Sequence, residues 1–173
     1  MRQGGLIAYS LGNFAFYQLS DLYHRKTGFF VELRVRGNRL ASFELHPYRI
    51  SEKGLASLDR REAERFRKGI DRISRPLRTA SGLEEAWQAY LAYYGLEGFR
   101  KEVLGILERM AVEPRKGAAM FRNRITTLQH AELWRDALTL FMTEKKGPVR
   151  PALTRVIREW FTRTVPGGAA QKP

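Results

Sequence analysis

The spacing of apolar positions changes period once along the chain, and that change divides it. In Gly28-Phe29-Phe30-Val31-Glu32-Leu33-Arg34-Val35-Arg36, Phe29, Val31, Leu33 and Val35 fall on one face and Glu32, Arg34 and Arg36 on the other, as in a strand with one wet side. Gly37-Asn38 supplies two residues tolerant of positive φ, and Arg39 to Ile50 follows as a second strand with Ala41, Phe43 and Leu45 on one side. The pattern predicts a β-hairpin. Ahead of it, Leu6-Ile7-Ala8-Tyr9-Ser10-Leu11 is an apolar run closed by Gly12-Asn13, which predicts a mostly buried strand turning sharply into Phe14-Ala15-Phe16.

From Ser57 onward the period is that of a helix. Asp59 with Glu62 forms a capping-box-like start, Ala63, Phe66, Ile70 and Ile73 make a stripe, and Pro76 stops the run, so a helix is predicted over about 59–74. Ser81 with Glu84 repeats the cap signal before Leu83, Trp87, Tyr90, Leu91 and Tyr94, and Gly95 ends a second helix over about 82–94. Phe99, Val103, Ile106 and Met110 predict a third over about 96–111, stopped by Pro114. Ala118 to Ile125 reads as a short helix, Thr127 can cap another through Leu133, Trp134, Leu138 and Phe141, and Gly147-Pro148 breaks the chain before a last helix over about 149–163. Strands first and helices afterwards argue for a segregated α+β fold rather than a parallel α/β sheet. The expected division is 1–50 strands, 51–164 a helical appendage and 165–173 a disordered tail, with the boundary near Ser51 to Leu58.

Composition narrows the chemistry. With 173 residues there is room for one ordinary domain with an appendage, and 43% hydrophobic against 28% charged residues is the balance of a folded protein. The absence of cysteine excludes disulfide scaffolds, thiolate zinc sites, iron–sulfur clusters and cysteine nucleophiles. No run reaches the roughly 18 apolar residues of a membrane span, and no signal-peptide core follows Met1, so the sequence leaves the localisation open. The formal charge of +13 is concentrated in the last third of the chain. Such charge suits nucleic acid, anionic lipid or a polyanionic polymer, and equally the arginine-rich background of a genome. Nucleic acid is the weakest of these, because no helix-turn-helix, RRM or KH signature accompanies the charge.

A family resemblance sits in the opening segment. The run Gly5-Leu6-Ile7-Ala8-Tyr9-Ser10-Leu11-Gly12-Asn13-Phe14-Ala15-Phe16 resembles the closing I-A-Y-S-L-G-N-F-x-F motif of the bacterial CapA family of capsule or poly-γ-glutamate synthesis proteins. Thr27-Gly28-Phe29-Phe30-Val31 is similar to a strand of that family beginning T-G, and Leu45-His46-Pro47-Tyr48-Arg49-Ile50 to its L-x-P-x-x-I strand end. Met120-Phe121-Arg122-Asn123-Arg124 to His130-Ala131-Glu132-Leu133 looks like the helical tail of some members, and all these stretches together touch under half of the chain. The resemblance implies a calcineurin-type metallophosphoesterase fold, a sandwich whose two-metal site of Asp, His and Asn lies upstream of the S-L-G-N-F motif. It implies that this chain is the C-terminal part of such a protein, its first strand separated from its neighbours in a missing N-terminal core. Divalent metals then belong to the full-length parent, whose place would be the cell envelope.

Within the chain itself, two-metal hydrolysis would need carboxylate, imidazole and amide ligands converging on ions about 3.5–4 Å apart. His24, His46 and His130 are widely separated and no H-x-H or D-x-H occurs, so no cofactor and no metal ligand is expected. Asp21 and His24 could share an ion on one helical turn, but they read more simply as a surface loop pair. Ser10 lacks a G-x-S-x-G elbow and is expected to satisfy backbone groups at its turn. Asn13, at a strand end after a glycine, is the candidate to orient a substrate oxygen at the edge of a parent's cleft, with Ser10 beside it; the plainer role for Asn13 is a left-handed turn residue. No catalytic residue is assigned.

Trp87, Tyr90, Tyr93 and Tyr94 form either a stacking platform or a core face with exposed hydroxyls, and the second is expected. The last helix combines Trp160 and Phe161 with Arg150, Arg155, Arg158 and Arg163, after Lys145-Lys146. That pattern suits an anionic membrane surface or the outer side of a docked helix. The functional expectation is therefore a catalytically silent C-terminal portion of a CapA-like protein, its parent a metal-dependent phosphoesterase-like enzyme or a polymer-handling protein. The alternative is a basic helical module for anionic lipid or a polyanionic polymer.

Overall fold

The structure is a computed structural model that describes residues 6–8, 10–12, 14–143 and 149–165. It is a mixed α+β chain with a small open antiparallel sheet followed by several helices. The elements are α1 (Tyr23–Lys26), β1 (Thr27–Arg36), β2 (Arg39–Ser51), β3 (Gly54–Ser57), α2 (Arg60–Ser74), α3 (Ala80–Val112), α4 (Pro114–Thr126), α5 (Leu128–Thr143) and α6 (Pro151–Thr162). Two compact units result, one of 1–78 with 158–173 and the other Thr79–Ile157.

In the first unit the sheet order is β1-β2-β3. Gly37, at φ 59°, opens the two-residue turn that the sequence predicts, with Arg36 opposite Arg39. The register then slips by one residue between Arg34 and Val35, so that Leu33 faces Phe43 and Glu32 faces Glu44. The extra residue, Ala41, is on β2, which leaves β1 regular. The third strand, Gly54–Ser57, stands where the sequence reading placed a boundary, and Gly54 makes the turn into it at φ 110°.

The expected buried strand at Leu6–Leu11 is not formed. Its described residues lie outside any strand, Ile7 and Leu11 are exposed, and among the described residues the one bridge to the sheet is that from Gly12 to Gly28, just after the segment. The apolar run calls for burial, but no neighbouring strand among the described residues offers it a partner ladder.

Helix α2 forms as predicted. Asp59 accepts a hydrogen bond from the Glu62 amide at 2.8 Å, satisfying one of the amides that a helix start leaves open. The stripe delivers Phe66 into the core, where it meets Phe29 at 5.7 Å and Tyr23 and Trp160 at 6.4 Å between ring centroids. Arg49 of β2 pairs with Glu62, and Arg67 donates to the Leu45 carbonyl, so the helix is also tied to the sheet by charge. The chain end closes the unit: the Tyr23 amide donates to the Arg163 carbonyl at 2.7 Å and the Val165 amide to that of Asp21 at 2.9 Å. Trp160 also packs edge-on against Tyr23, so this aromatic residue of the last helix is spent on packing.

His24 corrects the expectation of a surface pair with Asp21. Its ring is half-buried against Phe161, 5.2 Å between centroids, and its Nδ1 has no hydrogen-bond partner. Burial, with Arg25 nearby, lowers its pKa below the ordinary 6.5, against a weaker opposing bond to the Trp160 backbone. The unfolded chain then binds a proton that the folded chain refuses, so folding stability is complete above pH 6.5 and falls as the pH drops towards the folded value. His24→Leu should abolish this loss while changing stability near pH 8 little; urea midpoints measured at a series of pH values check it, and an unchanged slope below pH 6.5 would refute it.

The second unit is a helical cluster of α3, α4 and α5. Gly95 takes φ 54° and ψ −173° inside α3, so its two arms are the pair of helices predicted on either side of that residue. The start is capped by Thr79, whose Oγ1 accepts from the Gly82 amide at 3.0 Å, rather than by Ser81. Pro114 does more than stop a helix: it begins α4 at the first turn, where its missing N–H costs nothing. Gly117 touches the Met110 backbone, an approach that a β-carbon would block. Leu91, Leu133 and Ala137 form the core, with Trp87, Tyr90, Tyr94, Leu140 and Phe141 packed around them. The predicted break at Gly147-Pro148 and the predicted disordered tail fall wholly or almost wholly outside the described residues. Among those described, no helix is long and apolar enough to cross a membrane.

Candidate functional site

Among the described residues one set of ion-binding side chains converges: Glu32 of β1 with Glu44 and His46 of β2. The slipped register creates it. Glu32 is opposite Glu44 and Phe30 opposite His46, so strand alternation projects the three from one face. One ligand atom from each lies within 4.8 Å of the others. His46 Nε2 is 2.9 Å from Glu32 Oε2, and the flat face of Phe30 stacks on the imidazole at 4.8 Å. Tyr48 and Phe14 extend the aromatic strip, the former stacked on Phe30 at 6.4 Å and the latter edge-on to Tyr48 at 6.3 Å.

Two carboxylates and an imidazole are donors that suit a divalent ion such as zinc or manganese. Both carboxylates already have cationic partners: Arg34 Nε is 3.1 Å from Glu32, and Arg67 lies 3.7 Å from Glu44. Hydrogen bonds from Arg34 and His46 hold the Glu32 carboxyl below its usual range. A cation would have to displace these partners in an exposed setting where water competes, and three ligands do not make a two-metal centre. As it stands the arrangement is an ion-pair network. The sequence reading missed it because a two-residue turn without a slip would set Glu32 opposite Phe43; only the position of the bulge brings the ligands together.

Of the three histidines weighed from the sequence, His46 belongs to it and His24 and His130 do not. Ser10 Oγ accepts from the Gly12 amide at 3.1 Å, the turn role expected of it. Asn13 lies outside the described residues. His130 is in α5 of the second unit, where burial lowers its pKa. The aromatic residues of α3 are largely core, but the expectation of exposed hydroxyls needs correcting at Tyr94. Its hydroxyl donates to Glu102 at 2.7 Å. Trp134 Nε1 donates to the same carboxylate at 2.9 Å, and Arg124 Nε at 2.7 Å, while Trp87 Nε1 donates to Asp136 at 2.8 Å. Glu102 is thus the hub of the second unit, a role no short motif announces because its donors come from α3, α4 and α5.

The class defined by these observations is a small antiparallel sheet with helices, bearing a partly exposed strip in which Glu32, Glu44 and His46 adjoin Phe30. No family model, no curated protein and no solved structure matches the chain.

Proposed function

We propose that this chain is the C-terminal part of a CapA-like protein of bacterial capsule or poly-γ-glutamate synthesis, in which it supports a metallophosphoesterase-like sandwich and carries no catalysis of its own. One observation carries the reading. The segment that resembles the family's closing motif is apolar yet, at its described residues, largely exposed: Phe14 is 72% and Phe16 63% exposed, and its described ties to the sheet are the Gly12–Gly28 bridge and the edge of Phe14 on Tyr48. A run of this kind is stable when a neighbouring sheet covers it, so the missing partner is a strand-bearing core. The charge of +13 fits a protein that handles a polycarboxylate chain.

The test is metal retention. Purified and dialysed, the 173-residue chain should hold no stoichiometric manganese, zinc or iron, whereas a polypeptide extended by the in-frame residues encoded upstream of Met1 should hold about two ions per chain. Elemental analysis reads both. A stop codon immediately upstream, or tight stoichiometric metal on the short chain, defeats the proposal. The alternative of a basic module draws on Lys101, Arg115 and Arg122, exposed cations of the second unit that pair with no carboxylate among the described residues. Salt-sensitive pelleting of the chain with anionic vesicles would favour it.

A further inference from the structure

The outer edge of β1 is open. Apart from the bridge between Gly12 and Gly28, no described residue pairs with β1 on the side away from β2, and the strand runs regularly to Arg36. Alternate residues of an edge strand direct N–H and C=O groups outward, which is a template for another strand. The side chains there are not shielded: Leu33 is 54% and Val35 60% exposed, and Phe43, paired with Leu33 across the hairpin, is 41% exposed. Their face continues the apolar stripe of the hairpin beyond the point where α2 covers it.

The sequence along this edge is self-complementary. Read forwards, residues 31–35 are Val-Glu-Leu-Arg-Val, and read backwards they are Val-Arg-Leu-Glu-Val. An antiparallel copy centred on Leu33 therefore sets Leu33 against its counterpart, Val31 against Val35, and Glu32 against Arg34, the last two pairs occurring twice by symmetry. Glu32 and Arg34 already lie 3.1 Å apart on this edge with Arg34 side chains largely in solvent, so each can reach a partner across a strand spacing of about 4.8 Å. Opposite charges and β-branched pairs directly across a ladder are the arrangement that stabilises a sheet, whereas a copy shifted by two residues opposes Arg34 to its own counterpart.

We propose that β1 is a homodimer interface, in which two copies of this chain join edge to edge through residues 31–35 about a two-fold axis at Leu33, giving a continuous six-stranded sheet. The occupant is a second copy because the charge order of the edge complements itself, and a two-fold contact of one patch on itself is the commonest way for identical chains to close. The proposal does not depend on the CapA-like reading, whose carrying observation is the exposed run through Phe14 and Phe16 and not the charge order of residues 31–35.

Sedimentation equilibrium of the full chain at physiological salt, over a wide concentration range, should show a species of twice 20.0 kDa. Glu32→Arg and Arg34→Glu each create two like-charge pairs and should raise the dimer Kd at least about tenfold, while the double swap Glu32→Arg with Arg34→Glu restores opposite charges and should return Kd towards the starting value. Hydrogen exchange on the unaltered chain gives a second readout: the amides among Val31 to Val35 that point away from β2 should gain protection as concentration rises. Recovery in the double swap together with that protection supports the interface. A chain that stays monomeric at every concentration, a dimer indifferent to both single changes, or a monomer that instead takes anionic vesicles onto this face overturns it.

Discussion

Phe66→Ala should lower the unfolding free energy of the chain by about 3–5 kcal/mol, the largest loss expected from any single truncation. Phe66 is 2% exposed and is the point where the sheet, α1, α2 and the last helix meet, through Phe29, Tyr23 and Trp160. Removing the ring deletes its transfer energy and leaves a cavity whose walls are themselves large rings, which cannot collapse far. Against a typical total of about 5–15 kcal/mol, such a loss leaves the first unit barely folded at ambient temperature. Equilibrium urea unfolding measures it, and hydrogen exchange of β1, β2 and α2 shows where the loss falls. A decrease under about 1 kcal/mol would mean that the aromatic cluster is loosely packed and that the sheet owes its stability to something else.

Glu102→Leu should cost about 3 kcal/mol, and this loss belongs to the second unit. The change removes the acceptor shared by the Tyr94 hydroxyl, the Trp134 indole N–H and the Arg124 Nε–H, and leaves the Arg124 guanidinium its bond to Asn123 Oδ1. A desolvated donor left without its acceptor is more damaging than the bond is stabilising, and here three are left at once. Glu102→Gln keeps an acceptor oxygen and should lose less. The pH profile tests the same hub. Burial by itself raises the Glu102 pKa, but hydrogen bonds from Trp134 and Tyr94 and the Arg124 charge outweigh it and leave the group below its ordinary 4.5. With the folded pKa depressed, the contribution is complete above pH 4.5 and disappears as the pH falls through the folded value. The wild type should therefore lose stability in that acid range and Glu102→Leu should not share the loss. If both variants melt at the wild-type temperature at pH 7, the hub carries no stability. Burial and the adjacent Glu102 likewise push the Tyr94 hydroxyl up, keeping it a donor at every accessible pH.

Local signals in the sequence were strong enough to place most elements. The Asp59 cap with the stripe of Ala63, Phe66, Ile70 and Ile73 located α2, and Gly37-Asn38 located the hairpin turn, because capping and positive φ are decided within a few residues. Gly95 was legible for the same reason, although it became a kink inside one assigned helix. In the sequence Pro114 signals a stop and hides a start, since the same proline serves the end of one helix and the first turn of the next. The β3 strand was missed because Gly54-Leu55-Ala56-Ser57 is too short to show a period and exists only by pairing with β2. The segment Leu6–Leu11 failed in the opposite sense: its composition asks for burial, and pairing that the described residues do not provide would have to supply it.

Sequence alone determined the α+β order, the cap and turn positions, the apolar stripes and the basic charge, since each depends on neighbours within about one or two helical turns. Tertiary structure decided which distant side chains meet. The single slipped residue at Ala41 turned Glu32 towards Glu44 and His46 and put Leu33 beside Phe43. Packing of the chain end on Tyr23 and Phe66 made His24 a half-buried, proton-refusing group, and the folding of α3, α4 and α5 gathered three donors on Glu102. The physical reason is the same in each case: register and long-range packing are set by the sum of many weak contacts between remote segments, and no local stretch of residues encodes that sum.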